Sequence, residues 1–299
     1  MFLINIMSPP RLSRFQRSPH PPTLQLTDRD LDILEAVGEY RFITREQLQR
    51  LFFTPASASA AKRRLSLLYN HAFVERTHVP VRNAYGALRT VYSLDRGGAQ
   101  LLARERRWEP AGDWRRRDGE REATFLDHTL DCNDVRVAFT LACRRHGHDL
   151  QWTDERELRR RNVVERIRGR DGDTVTLIPD AYFTIASGNA VDGFALEVDR
   201  GTVSERRMRA RLAAYGSWAA SGAYRQRLPA ASFRVAFAVT DNGRGEDRLG
   251  RLKQLCEEVG GGSLFWFIGR DGLDACVLDD PVWQVAGEAG LRGLPLGPG

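Results

Sequence analysis

Three short helical segments followed by two strand-like segments, and then a longer run in which helices alternate with strands, predict a two-domain chain of the α+β or α/β class. The first pattern is that of a winged helix-turn-helix, and the second that of helices packed on a mixed sheet. Charge predicts the same division. Residues 1–120 hold 20 Lys and Arg against 13 Asp and Glu, whereas the remainder holds 25 against 26. The whole basic excess therefore lies in the first domain, as expected of a module that meets a polyanion.

Composition narrows the classes further. The 299 residues are 42% hydrophobic and 28% charged, enough apolar material for a core and too much for a disordered chain. No run reaches membrane-spanning length, and the apolar Met1–Met7 is too short for a signal-peptide core before Pro9-Pro10. Four widely spaced cysteines do not make a disulfide scaffold, so a cytoplasmic, reducing location with no membrane partner is expected.

Met1–Leu26, rich in proline and arginine, reads as a flexible basic arm. Order begins at Thr27, a helix cap followed by Asp28 and Asp30, with Leu31, Ile33, Leu34 and Val37 on one face. Thr44 caps a second helix, Arg45–Phe52, with Gln47 completing a capping box. A third helix starts at Thr54-Pro55 and runs to about Asn70, burying Ala58, Ala61, Leu65 and Leu68. Its outer face carries Ser59, Lys62, Arg63 and Ser66. Ala72–Val79 and Thr90–Leu94 form a hairpin whose connection includes Arg82 and Arg89, and Gly97-Gly98 closes it. A helix of this kind fits the major groove, with Lys62 and Arg63 reaching bases or phosphates and the wing arginines Arg82 and Arg89 reaching flanking phosphates. The competing reading is an ordinary solvated helix face.

The first domain is thus expected at 27–103 and a polar linker at 104–121. The second domain, at 122–283, begins with a long helix ending near Arg145. Strands follow at Asp149–Thr153, Thr174–Ile178, Ala181–Ile185 and Phe194–Val198. The helix Ser204–Trp218, strand Phe233–Val239, helix Glu246–Val259 and strand Leu264–Ile268 complete it. A loose tail is expected at 284–299.

The second domain's chemistry is concentrated in carboxylates. Glu197 and Asp199 share one face of a strand, and Asp180 follows Pro179 at the edge of the preceding one. Three converging carboxylates are costly unless a cation neutralises them, so Asp180, Glu197 and Asp199 read as Mg²⁺ or Mn²⁺ ligands. The alternative is that the acids pair with neighbouring arginines such as Arg200, Arg206 and Arg207. His128, on the long helix, could approach the carboxylates or sit in the core. Cys132, Cys143, His146 and His148 have the composition of a metal site but no zinc spacing, and read as structural. Gly260-Gly261-Gly262 is a turn, and no organic-cofactor fingerprint is present.

Several segments together resemble the replication-relaxation family of bacterial plasmids and mobile elements. They are Ala60–Leu68, Tyr92-Ser93-Leu94-Asp95-Arg96-Gly97, His128-x-Leu130-x-x-Asn133, Ile178-Pro179-Asp180, and Glu197-Val198-Asp199-Arg200-Gly201-Thr202 with Arg211-Leu212 and Tyr215. The resemblance implies a winged helix joined to a PD-(D/E)xK, restriction-endonuclease-like domain. It further implies a role in plasmid replication or DNA relaxation. Double-stranded DNA is the expected partner, with a relaxase or replication protein and a homodimer as further candidates and mobilisation as a further role. In active enzymes of that fold a lysine stands two residues after the second acid, where this chain has Asp199. Arg211 is the candidate substitute, suited to stabilising phosphorane charge but, with a pKa above ~12, unable to serve as a base. Three functions follow: a DNA-binding replication or mobilisation protein, a metal-dependent endonuclease or nickase, and a winged-helix transcriptional regulator.

Overall fold

The computed structural model describes residues 16–80, 88–108, 123–168, 174–226, 230–240 and 245–297. The chain divides into two compact units, Met1–Leu126 and Asp127–Gly299.

The first unit runs α1 (Asp28–Tyr40), β1 (Ile43–Thr44), α2 (Arg45–Phe52), a 3-10 turn at Pro55–Ser57, α3 (Ala58–Asn70), β2 (Val74–Pro80), β3 (Leu88–Leu94) and α4 (Arg96–Arg106). Its strands pair in the order β1-β3-β2. Thr27 and Asp30 form a capping box at the start of α1, and the capping box expected at Thr44 forms at the start of α2. In the second, Gln47 N–H donates to Thr44 Oγ1 at 3.1 Å while Thr44 N–H donates to Gln47 Oε1 at 2.9 Å, which fixes the start of α2. Ile33, Leu34, Val37, Leu48, Leu65, Leu68, Val74 and Val91 fill the core.

Three expectations are corrected here. Gly97-Gly98 does not close the hairpin but lies in the first turn of α4, capped by Asp95, which accepts from Arg96 N–H at 2.6 Å. Gly98 allows that helix to approach β2: a Cβ there would stand 2.2 Å from the Phe73 carbonyl oxygen. The helix also continues to Arg106, so 104–106 is not linker; residues 109–121 lie outside the described residues. The described part of the basic arm is anchored. Arg17 donates to Tyr69 O, Val74 O and Asp95, and Arg64 donates to Gln25 O.

The second unit is led by α5 (Ala123–His146), followed by β4 (Asp149–Asp154), α6 (Glu155–Arg160), a hairpin of β5 (Glu165–Arg168) and β6 (Thr174–Leu177), β7 (Ala181–Ser187) and β8 (Ala190–Asp199). Then come α7 (Glu205–Ala220), β9 (Ser232–Val239), α8 (Gly245–Glu258), β10 (Phe265–Gly269), β11 (Trp283–Val285) and β12 (Leu291–Arg292). The expected mixed sheet forms in the order β12-β11-β10-β9-β8-β7-β4. β4, β7 and β8 are an antiparallel meander, and β8, β9 and β10 run parallel because a helix returns the chain each time.

Alternation along the strands divides the core into two layers. Phe183, Phe194, Leu196, Val198, Ala236 and Ile268 face α5, where Phe139 packs against Phe183 and Phe194. Tyr182, Ala195, Val235, Phe237 and Phe267 face α7 and α8, meeting Leu212, Tyr215, Trp218 and Leu252. With both faces covered, β8 is buried along nearly all its length.

Two further corrections fall in this unit. The Thr174–Ile178 strand belongs to a separate two-stranded hairpin, not to the main sheet. The tail expected to be loose adds β11 and β12 to the sheet edge, with Trp283 and Leu294 buried.

Candidate functional site: paired carboxylates at the end of β8

The period of two along β8 places Glu197 and Asp199 on the α7–α8 side, as expected, and Asp180 immediately precedes β7. Ala181 pairs with Leu196, so Asp180 lies beside Glu197 at the end of the β7–β8 pair. Asp180 N–H donates to Leu196 O at 2.9 Å, and Val198 N–H donates to Asp180 Oδ2 at 2.7 Å. These backbone bonds hold the carboxylate across two strands.

Each acid has its own partner. Glu197 Oε1 accepts from Arg211 Nη2 at 2.6 Å and from the Tyr215 hydroxyl, both on α7 and one helical turn apart. Arg211 also donates to Ile178 O at 2.8 Å. Asp199 takes a two-pronged bond from Arg248 of α8, Nε to Oδ2 at 2.7 Å and Nη2 to Oδ1 at 3.1 Å. Asp180 Oδ1 lies 3.1 Å from His128 Nε2, and Cys132 Sγ, one turn along α5, is 3.8 Å from the same nitrogen.

Burial sets the electrostatics. Glu197 is pushed up to about 7 by loss of water, with the charge of Asp180 adding to the effect and Arg211 and Tyr215 opposing it. Burial works against the Arg211 charge, but Glu197 outweighs it and raises the arginine's pKa. His128 is also raised: burial alone would lower it, and the hydrogen bond and charge of Asp180 reverse the balance. The Cys132 thiol is driven well up by burial and the surrounding carboxylates.

The expected metal set of Asp180, Glu197 and Asp199 is therefore corrected. Among the described residues these three do not form one donor group; Asp180 instead groups with His128 and Cys132. The reason is geometric. Residues two apart on a strand are separated by roughly 6.6 Å, and α7 and α8 each deliver an arginine to one of the two acids. Pairing with arginines, the alternative weighed from sequence, is what forms, but the partners are Arg211 and Arg248, while Arg206 and Arg207 are exposed.

Further ion pairs join α5 to Arg200 and Arg270. Arg200 reaches Asp127 at 3.3 Å and Asp131 at 3.2 Å, and Arg270 reaches Asp131 at 3.0 Å and Asp134 at 3.3 Å. Asp127, Asp131 and Asp134 recur on one face of α5, a spacing readable from sequence, but nothing local identifies their partners. Glu155, at the start of α6, accepts from Arg159 within that helix.

On the first unit, Ser59, Lys62 and Arg63 are exposed on α3 and Ser66 is half-buried. Lys62 and Arg63 have no carboxylate partner among the described residues, whereas their neighbour Arg64 is tied to the buried Asp30. Arg89 is half-buried on β3, opposite Val79. Arg82 lies outside the described residues.

The sequence profile of the Replication-relaxation family matches residues 34–229, spanning α1 through α7. The chain belongs to this family. The replication-relaxation match covers both the α3 face and the Asp180–Glu197–Arg211 group. The resemblance implied a nuclease-like second domain. The second unit has the order of helix, antiparallel three-strand meander, helix and parallel strand in one mixed sheet. Solved structures of the restriction endonuclease FokI are similar at a low level. The unbound form matches with TM-score 0.29 and 12% identity over 82% of this chain and 42% of that one. The DNA-bound form matches with TM-score 0.26 and 11% identity over 82% and 43%. The chain spans less than half the length of either. No curated protein matches the sequence. Among the described residues, no helix is long and apolar enough to cross a membrane.

Proposed function

We propose that this replication-relaxation protein is a double-stranded-DNA-binding component of plasmid or mobile-element replication or mobilisation, with its first unit a winged helix that contacts the duplex. The observation that carries the reading is that Lys62 and Arg63, on the outer face of α3 beside Ser59 and Ser66, have no carboxylate partner among the described residues. The helix–strand–helix–helix–hairpin order with β3 central supports it. A helix in the major groove needs donors on its solvent side, and cations already committed to carboxylates could not release counterions from DNA. A relaxase or replication protein is the partner class that fits, and a homodimer would supply two such heads. The test is a mobility-shift titration with duplex DNA. Lys62→Ala with Arg63→Ala should weaken binding at least about tenfold. Unchanged affinity in a folded double variant removes the assignment.

One observation favours a second reading, a Mg²⁺- or Mn²⁺-dependent endonuclease: Asp180 lies beside Glu197 with Arg211 in contact. As they stand, the donors do not suit a hard cation. Glu197, with its carboxyl raised to about 7, already holds two donors on one oxygen, and Asp199 is fully engaged by Arg248. Asp180 faces an imidazole and a thiol, softer company than Mg²⁺ prefers. Nicking of supercoiled plasmid by the wild-type protein but not by Asp180→Asn would replace the first reading with this one.

A further inference from the structure

The second unit carries another mixed donor group at the far end of α5. The helix ends at His146, where Gly147 turns the chain at a φ of 67° and His148 N–H donates to Cys143 O at 2.9 Å. The segment after β10 comes back to this point from 130 residues away in the chain. His146 Nε2 lies 2.8 Å from Asp279 Oδ2, and the Cys276 thiol donates to the same oxygen at 3.2 Å. The three donor atoms are all within 4.8 Å of one another. The ring of His148 stacks on that of His146, with centroids 5.6 Å apart and planes inclined by 22°.

Both sides of this group are fixed by the core rather than by the group itself. Ala142 and Cys143 bury the last turns of α5. Val277 and Leu278 bury the returning segment, and Trp283 Nε1 donates to Val277 O at 2.7 Å. The group is also distinct from His128, Cys132 and Asp180. His128 and His146 are 18 residues apart on one helix, roughly 27 Å at 1.5 Å per residue.

We propose that His146, Cys276 and Asp279 form a binding site for a first-row divalent transition metal, with Zn²⁺ the best match and a fourth position left for water or His148. Imidazole, thiolate and carboxylate are the three ligand types that Zn²⁺ accepts together, and the mixture excludes Mg²⁺ and Ca²⁺, which take oxygen alone. Bond lengths of about 2.0–2.3 Å at tetrahedral angles put ligand atoms about 3.3–3.6 Å apart. The observed 2.8 and 3.2 Å contacts need open by only a few tenths of an ångström. The exposed Asp279 carboxyl offers an ionised oxygen at neutral pH. Arg145 stands near it and opposes a cation, which leaves the thiolate as the strongest contributor. On binding, the Cys276 thiol releases its proton to solvent and its S–H···O bond is exchanged for a sulfur–metal bond. Metal would then tie the end of α5 to the segment that precedes β11.

Co²⁺ titration of the full-length protein tests this. One equivalent should produce a thiolate-to-cobalt charge-transfer band with tetrahedral d–d absorption, and Zn²⁺ should bleach both. Cys276→Ser should abolish the charge-transfer band, Asp279→Asn should weaken binding at least about tenfold, and Cys132→Ser should change neither. Zn²⁺ should raise the thermal midpoint of the wild type but not of Cys276→Ser. All three ligands lie near the surface, so circular dichroism can verify that the variants remain folded. The proposal is overturned if no band appears, if Cys276→Ser binds Co²⁺ as the wild type does, or if the band disappears in Cys132→Ser instead.

Discussion

The end of β8 and the outer face of α3 hold charge in opposite ways. Around β8 every acid is enclosed and matched: Glu197 with Arg211 and Tyr215, Asp199 with Arg248, Asp180 with His128 and a backbone N–H. On α3 the buried-side arginine, Arg64, is matched with Asp30, while Lys62 and Arg63 point outward with no acidic partner among the described residues. A matched ion pair in low dielectric resists rearrangement, because separating it leaves a charge without water. An exposed cation loses little on exchanging water for phosphate. The contrast underlies the proposal that the first region serves internal organisation and the second ligand contact, and it can be broken from either side.

The largest effect is expected where one member of an enclosed pair is removed. Arg211→Ala leaves Glu197 and the Tyr215 hydroxyl buried without their cation and should destabilise the protein by about 3 kcal/mol. That is the low end of the usual cost, because Glu197 can escape by taking up a proton. Denaturant unfolding measures it. A loss below about 0.5 kcal/mol would mean that the pair is solvated and that the comparison fails.

The pH dependence sharpens the same point. Glu197 has a folded pKa of about 7 against an ordinary value of 4.5. Between those limits the native state binds more protons than the unfolded state, so this group's contribution is fully present below pH 4.5 and is lost as pH rises through about 7. Alone it should cost up to about 3 kcal/mol across that window. Glu197→Gln removes the titration, so the stability difference between variant and wild type should drift in the variant's favour from pH 5 to pH 8. A pH-independent difference would place the Glu197 carboxyl in water. A smaller effect is expected at the neighbouring pair. Asp199→Ala should cost about 2 kcal/mol, because Arg248 keeps some exposure and can turn toward solvent.

Legibility in the sequence followed the range of the forces involved. The bounds of α2 were readable because Thr44 and Gln47 form a local, self-contained cap. The face shared by Glu197 and Asp199 was readable because strand periodicity needs only neighbours. The identity of Arg248 as the partner of Asp199, 49 residues on, depends on how α8 lies on the sheet, and no local pattern encodes that. Gly97-Gly98 looked like a turn because glycine usually marks one, yet here the pair serves close packing of α4 against the Phe73 carbonyl. β11 and β12 were missed for a related reason: a short, glycine-flanked strand takes its stability from β10, not from its own residues. The proposed metal group illustrates the same limit. His146 was visible, but Cys276 and Asp279 join it only through the fold.

The smallest change in stability, and the one that separates the two regions most cleanly, is expected on α3. Lys62→Ala with Arg63→Ala should alter unfolding free energy by no more than about 0.5 kcal/mol, since neither side chain is engaged in an ion pair among the described residues. The same double variant should lower duplex affinity at least about tenfold. If both cations contact phosphates, the dependence of log affinity on log salt should become shallower by about 1.8, at about 0.9 per contact. Arg64→Ala, one residue further, should show the reverse: a clear loss of stability through the exposed need of buried Asp30, with the salt slope unchanged. Should Arg64 rather than Lys62 and Arg63 govern the slope, the outer face of α3 is not the surface that meets DNA, because a side chain held against Asp30 cannot reach a phosphate without first abandoning its partner.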